Sequence, residues 1–398
     1  MIELHIFPQK ARLEAGSVCR TAVLWLAGQY RHELWYRFPE EYADWITQSA
    51  DPFLVACVLM AMRESADIVV HGRVSPSLIA NLYEFQAAWH SWRPRKYDLV
   101  EIRADEESEI LDEASPRGAV CAFTGGVDSS YSIYRHRKGL CGKAQRTIAA
   151  GLFVNGFDIP LDQPEAFERA AGHARSTLKT LDVELLTVTS NHKELNPEWD
   201  DTHGIGIASS LMFFAPRFSE GMIASTHSYT GLKLPWGSNP ITDPLLSSHS
   251  FGIVHDGAGC SRVQKYLTVS RWPEAYSNLR VCFSAEERDK NCGRCAKCIA
   301  TQVSMRRLQL PVPLSFECEL TENDILSMRN ATDSEMEALQ TALDGSVRPG
   351  SNETSLVSAL QRCVRYNQIK KSLSARSRNP LKEKIRQLRL RAHEYAGP

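Results

Sequence analysis

The peptide CAFTGGVDSS, Cys121–Ser130, places two adjacent glycines, an aspartate and two serines directly after a short apolar run. Adjacent glycines let the backbone come close to phosphate oxygens and adopt positive φ. A helix that begins just after them points N–H groups and the positive end of its dipole at an anion. Thr124 and Ser129 add hydroxyl donors, and Asp128 suits a phosphate site when Mg²⁺ bridges the two. The peptide therefore predicts a phosphate-binding loop, although a tight connection from a strand to a helix explains the glycine pair alone.

Two widespread phosphate-binding motifs are absent from this peptide. It lacks the lysine of the Walker A pattern G-x-x-x-x-G-K-[ST], and it lacks the G-x-G-x-x-G spacing of a Rossmann site. The sequence thus predicts neither a Walker-type loop nor a dinucleotide-binding loop.

A second chemical signal is the spacing Cys-x₉-Cys-x₂-Cys-x₂-Cys, formed by Cys282, Cys292, Cys295 and Cys298. Three cysteines at this spacing can reach one ion from a single turn, with Gly293 allowing the bend, and the fourth completes a tetrahedron. Four thiolates with no open position suit a structural Zn²⁺. An iron–sulfur cluster uses the same ligands, so the spacing leaves that alternative open. The other seven cysteines are scattered, which is typical of small core residues.

The elements that must position these residues alternate from Gly118 onward. Short β-rich runs separated by helical runs are typical of a mostly parallel sheet with helices on both faces. The predicted strands are Ala119–Phe123, Thr147–Val154, Val183–Val188, Met222–Ser225 and Leu279–Phe283. The predicted helices are Ser129–Arg137, Gln163–Leu181 and Gly204–Phe214. We therefore expect an α/β fold with a mostly parallel sheet of five strands.

Three segments are expected along the chain. Residues 1–117 predict an N-terminal α+β accessory domain, in which the apolar run Phe53–Met62 is too short for a membrane span and predicts a buried helix. An acidic stretch followed by Ser115–Gly118 marks a linker. Residues 118–318 form the α/β domain with the cysteine motif, and residues 319–398 predict a helical C-terminal segment. Its predicted helices are Thr321–Arg329, Asp333–Leu343, Ser355–Ser372 and Pro380–His393.

Composition places the chain among ordinary globular proteins, since 43% of its 398 residues are hydrophobic and 23% are charged. The formal net charge of −1 argues against a protein that coats nucleic acid with uniform positive potential. No run approaches the length of a membrane helix and no secretion signal is evident. We therefore expect a cytoplasmic protein with reduced thiols.

Positive charge is concentrated at the C-terminus. Residues 361–398 contain eleven Lys or Arg and two Glu, a net charge of +9, so the rest of the chain carries −10. A solvated amphipathic helix is the default interpretation of this basic tail. An anionic partner, such as RNA, DNA or an acidic protein, is the alternative.

Thr124–Ser129 closely resembles the S-G-G-x-D-S signature of the ATP-pyrophosphatase (PP-loop) superfamily, with Thr124 where serine is usual. Enzymes of this superfamily split ATP between the α and β phosphates, adenylate a carboxylate, amide or nucleobase carbonyl, and release pyrophosphate. The resemblance implies an adenine nucleotide alpha hydrolase-like fold, ATP and Mg²⁺ as cofactors, and Asp128 as a Mg²⁺ contact. The implied nucleotide-binding residues are Thr124, Gly125, Gly126, Val127, Asp128, Ser129 and Ser130 at the pyrophosphate, with Leu152 and Val154 at the adenine.

Together with the cysteine motif, this loop resembles the 7-cyano-7-deazaguanine synthases and their enlarged relatives, over about residues 118–310, roughly half of the chain. Those enzymes adenylate the carboxylate of 7-carboxy-7-deazaguanine, a small planar acid, and attack it with ammonia. A second ATP-dependent step then gives the nitrile. The resemblance implies an AMP- and pyrophosphate-forming C–N ligase that carries a structural Zn²⁺.

The chain departs from housekeeping members of that family in size. It adds about 117 residues before the phosphate loop and about 90 after the cysteine motif, and it carries an insert-like stretch, Thr230–Leu245. Enlarged relatives occur in bacterial anti-phage systems, where the resemblance suggests a protein amine instead of ammonia as the acceptor. A tRNA-thiolating PP-loop enzyme and a non-catalytic ATP-binding scaffold are the alternative functions. A homodimer is compatible with the sequence.

Arg262 and Lys265 stand three residues apart, so one helical face carries both cations. Such a pair can neutralise departing pyrophosphate, which makes both residues catalytic candidates together with Asp128 and Ser129. A solvated helix face is the plain alternative. Further polar residues stand at the expected carboxyl edge of the sheet or in the loop after it, where ordinary capping explains them about as well. They are His203, His227, Ser228, Asp243, His255 and Asp256.

Overall fold

The computed structural model describes residues 2–109, 118–282, 284–329, 331–344 and 354–377. The chain packs as two compact units. The first comprises Met1–Asn291 with Pro313–Ser315, and the second comprises Cys292–Val312 with Phe316–Pro398. The three-segment division stays a prediction, and its boundary at residue 117 lies outside the described residues.

Within the described residues, the first unit contains one sheet of eleven strands. The strands are β1 (Ile2–Pro8), β2 (Arg12–Glu14), β3 (Ser17–Leu26), β4 (Gln29–Pro39), β5 (Ala66–Val74), β6 (Ile102–Glu107), β7 (Ala119–Ala122), β8 (Ile148–Asn155), β9 (Glu184–Ser190), β10 (Glu220–Ala224) and β11 (Gly252–Asp256). Their order is β11–β10–β7–β8–β9–β4–β3–β1–β5–β6, and β2 pairs with β3.

Six of the ten strand pairs are parallel, which confirms the prediction of a mostly parallel α/β sheet. The prediction of five strands is wrong. The five parallel strands β11–β10–β7–β8–β9 are only one half of the sheet, because β9 continues into β4 through an antiparallel pair. That pair joins Tyr36 to Ser190 and Arg37 to Thr189, so the N-terminal strands extend the same sheet.

Eight α-helices of the first unit lie within the described residues. They are α1 (Asp51–Arg63), α2 (Pro76–Trp92), α3 (Val127–Arg137), α4 (Pro164–Lys179), α5 (His192–Leu195), α6 (Trp199–Met212), α7 (Arg262–Val269) and α8 (Pro273–Ser277). The described part of the second unit contains α9 (Ala296–Arg307), α10 (Glu322–Ser327), α11 (Asp333–Asp344) and α12 (Thr354–Ser377). These last three confirm the predicted C-terminal helices, whereas the helix predicted over Pro380–His393 lies outside the described residues.

Strand β8 demonstrates that helices cover both faces of the parallel half. Gly151 faces α4, since a Cβ at this position would lie 2.7 Å from Leu178, and Phe153 packs against Phe167 of the same helix with ring centroids 5.0 Å apart. The intervening Leu152 belongs instead to the apolar core that includes Ile205 of α6. Alternation along the strand therefore distributes its side chains between two helical layers.

Helix α1 is the buried helix expected from the apolar run, and every residue from Asp51 to Met62 is buried. Its apolar side chains share one core with the N-terminal strands and with α6. The carboxylate of Asp51 accepts hydrogen bonds from the backbone N–H and the hydroxyl of Ser75, at 2.8 and 2.7 Å, so this buried acid has partners. No helix in the described residues is long and apolar enough to cross a membrane.

The fifth predicted strand is in the wrong place. Leu279–Cys282 forms no strand, because the side chain of Asn291 takes its backbone groups, and the final predicted residue, Phe283, lies outside the described residues. Asn291 Oδ1 accepts from the N–H of Val281 at 3.0 Å, and its Nδ2 donates to the carbonyl of Leu279 at 2.8 Å. The edge strand is instead β11, which contains the His255 and Asp256 that were expected in an irregular loop.

The order of the parallel strands creates a topological switch point at β7. From β7 the chain moves through α3 to β8 and through α4 to β9, and it then returns through α6 to β10 on the opposite side of β7. Connections that leave two neighbouring strands in opposite directions open a crevice at their carboxyl ends, where open α/β sheets bind ligands. The phosphate-loop peptide follows β7 at this crevice.

Acid should weaken the fold through His192, whose ring is fully buried. Burial lowers the pKa of His192 to about 3, whereas a histidine in the unfolded chain titrates near pH 6.5. The unfolded state therefore binds more protons between these values. As the pH falls through this window, the free energy of unfolding should decrease by up to about 1.4 kcal/mol per pH unit.

Denaturant unfolding at pH 8 and pH 5 checks this expectation. The variant His192→Gln should lose less stability over this interval than the wild type, because its side chain does not titrate. The matched control His249→Gln changes an exposed histidine and should keep the wild-type dependence. Equal pH dependence in His192→Gln and the wild type would contradict the assignment.

Candidate functional site

The loop between β7 and α3 has the backbone geometry of an anion-binding turn. Gly125 adopts φ of +72°, in the left-handed region that favours glycine, and Gly126 is the extended N-cap residue of α3. A Cβ on Gly126 would lie 3.3 Å from the Thr124 hydroxyl, so a larger residue would require a small shift of that side chain. The first N–H groups of α3 have no partner within the helix and point toward the carboxyl edge of the sheet.

The hydroxyl of Ser129 braces this loop from inside. It donates to the carbonyl of Gly126 at 3.3 Å and accepts from the N–H of Thr124 at 3.4 Å, and Ser129 is buried. Ser130 and Val127 are also buried, and no described residue accepts or donates a hydrogen bond at the Ser130 hydroxyl. Among the loop residues predicted to bind nucleotide, Thr124 has the most exposed side chain.

Arg280 fastens the loop, and sequence reasoning did not single it out. Its backbone N–H donates to the carbonyl of Gly125 at 3.0 Å, and its Nε donates to the carbonyl of Thr124 at 3.1 Å. The guanidinium also bonds the carbonyl of Arg288 and pairs with Asp158 at 3.2 Å. This side chain is 8% exposed, so the arginine acts as a buried strut between the loop and the segment after α8. An arginine in an apolar strand-like run gave no sequence signal for this role.

The structure brings together the three charged residues predicted for catalysis. Arg262 Nη1 donates to both carboxylate oxygens of Asp128 at 2.9 Å, and Lys265 Nζ donates to one of them at 2.9 Å. The two cations lie on α7, one turn apart, and Asp128 lies in the first turn of α3. The three residues are called the charge cluster below. A solvated helix face is thereby excluded for Lys265, whose side chain is 2% exposed.

The charge cluster also reaches the carboxyl end of β10. Lys265 Nζ donates to the carbonyl of Ser225, and Arg262 Nη2 donates to the carbonyl of Thr226 at 3.1 Å. Burial by itself raises the pKa of the Asp128 carboxyl, but the charges of Arg262 and Lys265 outweigh it and hold this pKa below its usual value. Asp128 is therefore a carboxylate at neutral pH.

The other predicted residues are distributed around this edge. Leu152 and Val154 are 2% and 7% exposed and pack in the core, so their contact with adenine stays a prediction. Asp256, at the end of β11, accepts from the hydroxyl of Ser132 at 2.6 Å and pairs with Arg135 at 2.8 Å, which holds α3 against the edge strand. The contacts of Asp256 are therefore structural, because they join the end of β11 to α3.

His255 of β11 and Asp243 form a pair with buried side chains. His255 Nδ1 lies 2.7 Å from Asp243 Oδ2, and the hydroxyl of Ser238 donates to the same oxygen at 2.7 Å. His203 opens the second turn of α6, where its Nδ1 lies 2.9 Å from the carbonyl of Trp199. His227 follows β10 and stacks obliquely on Trp236, with ring centroids 5.4 Å apart.

The four cysteines of the motif form a cluster that can hold a metal ion. The sulfur atoms of Cys282, Cys292, Cys295 and Cys298 all lie within 4.8 Å of one another. A tetrahedral Zn²⁺ with Zn–S bonds of about 2.3 Å needs sulfur atoms about 3.8 Å apart, and those of Cys292 and Cys298 are 3.9 Å apart. The N–H of Ser284 points to Cys282 Sγ at 3.2 Å, as expected around a thiolate ligand. The donor set fits a closed metal site.

Comparisons with protein-family models, with curated proteins and with solved structures give no match to this chain. The geometry of the site and the resemblance of its two motifs are therefore the grounds for a functional proposal. The loop, the charge cluster and the strand order are the observations that bear on it.

The variant Arg280→Lys tests the strut. Lysine keeps the charge but cannot donate to Thr124, Arg288 and Asp158 at once, so the loop should open more often. Hydrogen exchange of the peptide covering residues 123–130 should become at least about fivefold faster, equivalent to about one lost hydrogen bond. The control Arg137→Lys removes the single bond of Arg137 to Leu181 and should leave this peptide unchanged. An unchanged rate of hydrogen exchange for this peptide in Arg280→Lys would show that Arg280 does not hold the loop.

The variant Cys298→Ser tests the metal cluster. Removing one thiolate from a four-sulfur site should lower the bound metal well below one ion per chain, because the tetrahedron is incomplete. Elemental analysis of the purified protein measures zinc and iron together and decides between Zn²⁺ and an iron–sulfur cluster. Cys141→Ser, a cysteine outside the cluster, is the control and should retain the full metal content. Full metal content in Cys298→Ser would exclude the four-cysteine site.

Proposed function

We propose that this chain is an ATP-dependent ligase of the PP-loop type, which adenylates a small planar carboxylic acid, releases pyrophosphate and transfers the acyl group to an amine. The acid is 7-carboxy-7-deazaguanine or a similar ring acid. The acceptor is ammonia or a protein amine, the latter in the context of anti-phage defence. These assignments follow from the resemblance of the two motifs, and the geometry supports the activation step.

The observation that carries the proposal is the position of the glycine loop. Numbered from β7, the parallel strands have the order 5-4-1-2-3, and the loop follows strand 1 at the switch point. A backbone turn with Gly125 in the left-handed region, followed at once by a helix N-terminus, supplies N–H groups for a polyphosphate. This arrangement supports the adenine nucleotide alpha hydrolase-like fold that the resemblance implies.

The charge cluster supports pyrophosphate release. Arg262 and Lys265 lie within hydrogen-bond distance of Asp128, which stands in the first turn of the helix that follows the loop. Two cations beside the β and γ phosphates stabilise the negative charge that develops as pyrophosphate leaves. A Mg²⁺ ion, held by Asp128 and the phosphates, would supply further charge neutralisation. Asp128 can bind the ion once one of its two cations has turned to the phosphates.

The tRNA-thiolating alternative is less well supported. A sulfur-transfer mechanism needs a reactive cysteine close to the loop, and the nearest in sequence is Cys121. Its thiol is fully buried in β7, and burial raises its pKa well above the usual value, so it is neither exposed nor a thiolate. The ligase is therefore the better account of this site.

The variant Asp128→Asn tests the proposed reaction. The amide keeps the shape of the side chain but cannot hold Mg²⁺ or balance the two cations, so ATP–pyrophosphate exchange driven by 7-carboxy-7-deazaguanine should fall at least about a hundredfold. The control Asp162→Asn changes an exposed acid and should exchange at the wild-type rate. Circular dichroism and thermal unfolding establish that both variants are folded. Wild-type exchange in Asp128→Asn would overturn the mechanism.

A further inference from the structure

Three aromatic side chains gather at the carboxyl edge of β10. Trp236 lies between His203 and His227, with ring centroids 5.2 and 5.4 Å away, and all three are half-buried. Each therefore combines a packed side with a surface that solvent reaches. These three residues are called the ring cluster. They come from different parts of the chain, namely the start of α6, the end of β10 and the insert-like stretch.

The ring cluster is adjacent to the charge cluster. The carbonyls of Ser225 and Thr226 accept hydrogen bonds from Lys265 and Arg262, and His227 is the next residue. Strand β10 is the neighbour of β7, whose carboxyl end begins the glycine loop. A small molecule on the ring cluster would therefore have its far end beside the cations.

Backbone hydrogen bonds hold the loop that carries Trp236 in place. Gly237 donates its N–H to the carbonyl of Asp200 at 2.8 Å, directly on α6. The approach is so close that a Cβ on Gly204 would lie 1.9 Å from the carbonyl oxygen of Gly237, so only glycine fits there. Asn239 donates to the backbone carbonyl of Trp236 at 2.8 Å. The position of the indole is thus fixed by hydrogen bonds of the backbone around it, and the indole itself makes none of them.

A buried polar network extends this support. Asn239 Oδ1 accepts from the N–H groups of Ile241 and Thr242, and Asp243 accepts from the N–H of Asn239 at 3.1 Å. Asn239, Thr242 and Asp243 are at most 1% exposed. A long irregular stretch with a satisfied buried network is a rigid scaffold, which is what a binding site needs to hold its contact residues in place.

The indole N–H of Trp236 lacks an acceptor. Its Nε1 is buried, and no described residue takes its hydrogen bond. A buried donor without a partner carries a desolvation penalty, which a ligand acceptor that reaches it removes. The half-buried rings offer stacking surfaces around this donor. The combination suits a flat ring whose edge carries a nitrogen or carbonyl acceptor.

We propose that the ring cluster binds the ring of the acid substrate, a flat heteroaromatic carboxylic acid, with an acceptor on the ring edge taking the Trp236 N–H. The carboxylate then points toward the charge cluster, where the activated phosphate lies. Trp236 is a specificity-determining residue. The inference rests on the proposed function for the identity of the acid, whereas the stacking and hydrogen bond rest on the ring cluster itself.

Calorimetry with two acids and three variants tests this assignment. The probes are 7-carboxy-7-deazaguanine and indole-3-carboxylic acid, which has two fused rings and a carboxylate but no ring acceptor. Trp236→Ala removes both the stacking surface and the N–H donor, so it should weaken binding of 7-carboxy-7-deazaguanine at least about tenfold. Trp236→Phe keeps a ring and removes the donor, so it should weaken that acid about fivefold and leave indole-3-carboxylic acid unchanged.

The control is Trp25→Phe, because Trp25 is 40% exposed on β3, in the N-terminal half of the sheet. It should bind both acids as the wild type does. Unchanged affinity of 7-carboxy-7-deazaguanine in Trp236→Phe, or absence of binding of both acids to the wild type, would overturn the proposal. Adenine shares the ring chemistry, so ATP is titrated as well. A loss of ATP affinity in place of acid affinity in Trp236→Ala would assign the ring cluster to the nucleotide and overturn it.

The same variants separate this inference from the ligase proposal. If the wild type catalyses exchange and Trp236→Ala keeps the wild-type KM for the acid, the ligase stands and the ring cluster fails. If the acid binds in a Trp236-dependent manner but no exchange occurs, the ring cluster stands and the ligase fails. When both are correct, the KM for the acid rises at least about tenfold in Trp236→Ala, and the KM for ATP does not change.

Discussion

The charge cluster is the interaction on which the candidate site depends. Asp128 fixes the first turn of α3, Lys265 fixes α7, and the carbonyl of Ser225 fixes the end of β10 to both. The ammonium of Lys265 is 2% exposed, so removal of the Asp128 carboxylate would leave this charge in the interior without its counter-ion, which destabilises the fold. Together with the pairing of β7 with β10, the charge cluster therefore helps to hold the glycine loop next to the end of β10.

Those parts of the site that depend on local geometry were predictable from the sequence. The glycine pair after an apolar run marks the loop because positive φ and close approach are properties of one or two residues. The cysteine spacing marks the metal cluster because three of its four ligands lie within seven residues of one another in the sequence. Arg262 and Lys265 were paired by helical spacing, but their contact with Asp128 joins residues more than 130 positions apart, and no local pattern specifies it.

The remaining features depend on partners that are distant in sequence. The strand-like run at Leu279 has the right alternation, but Asn291 takes its backbone groups, so pattern alone gave the wrong strand. Strand β11 was not predicted because its last two residues are polar. In the structure, one of them, His255, pairs with Asp243. The pairing of β4 with β9 extends the sheet across about 150 residues and has no counterpart in composition or motif. Arg280 and Trp236 were missed because their roles come from the carbonyls and rings beside them.

The two cations of the charge cluster differ in what they can do when a polyphosphate arrives. Lys265 is 2% exposed and also holds the Ser225 carbonyl, so moving it would leave a carbonyl and part of a carboxylate without partners. Arg262 is 22% exposed and lies at the first position of α7, with solvent at hand to replace its bonds. Its planar guanidinium presents two parallel N–H donors in a fixed geometry that matches two phosphate oxygens, whereas an ammonium acts as a point charge. Arg262 is therefore the residue suited to exchange Asp128 for phosphate, while Lys265 keeps the carboxylate in place for the metal.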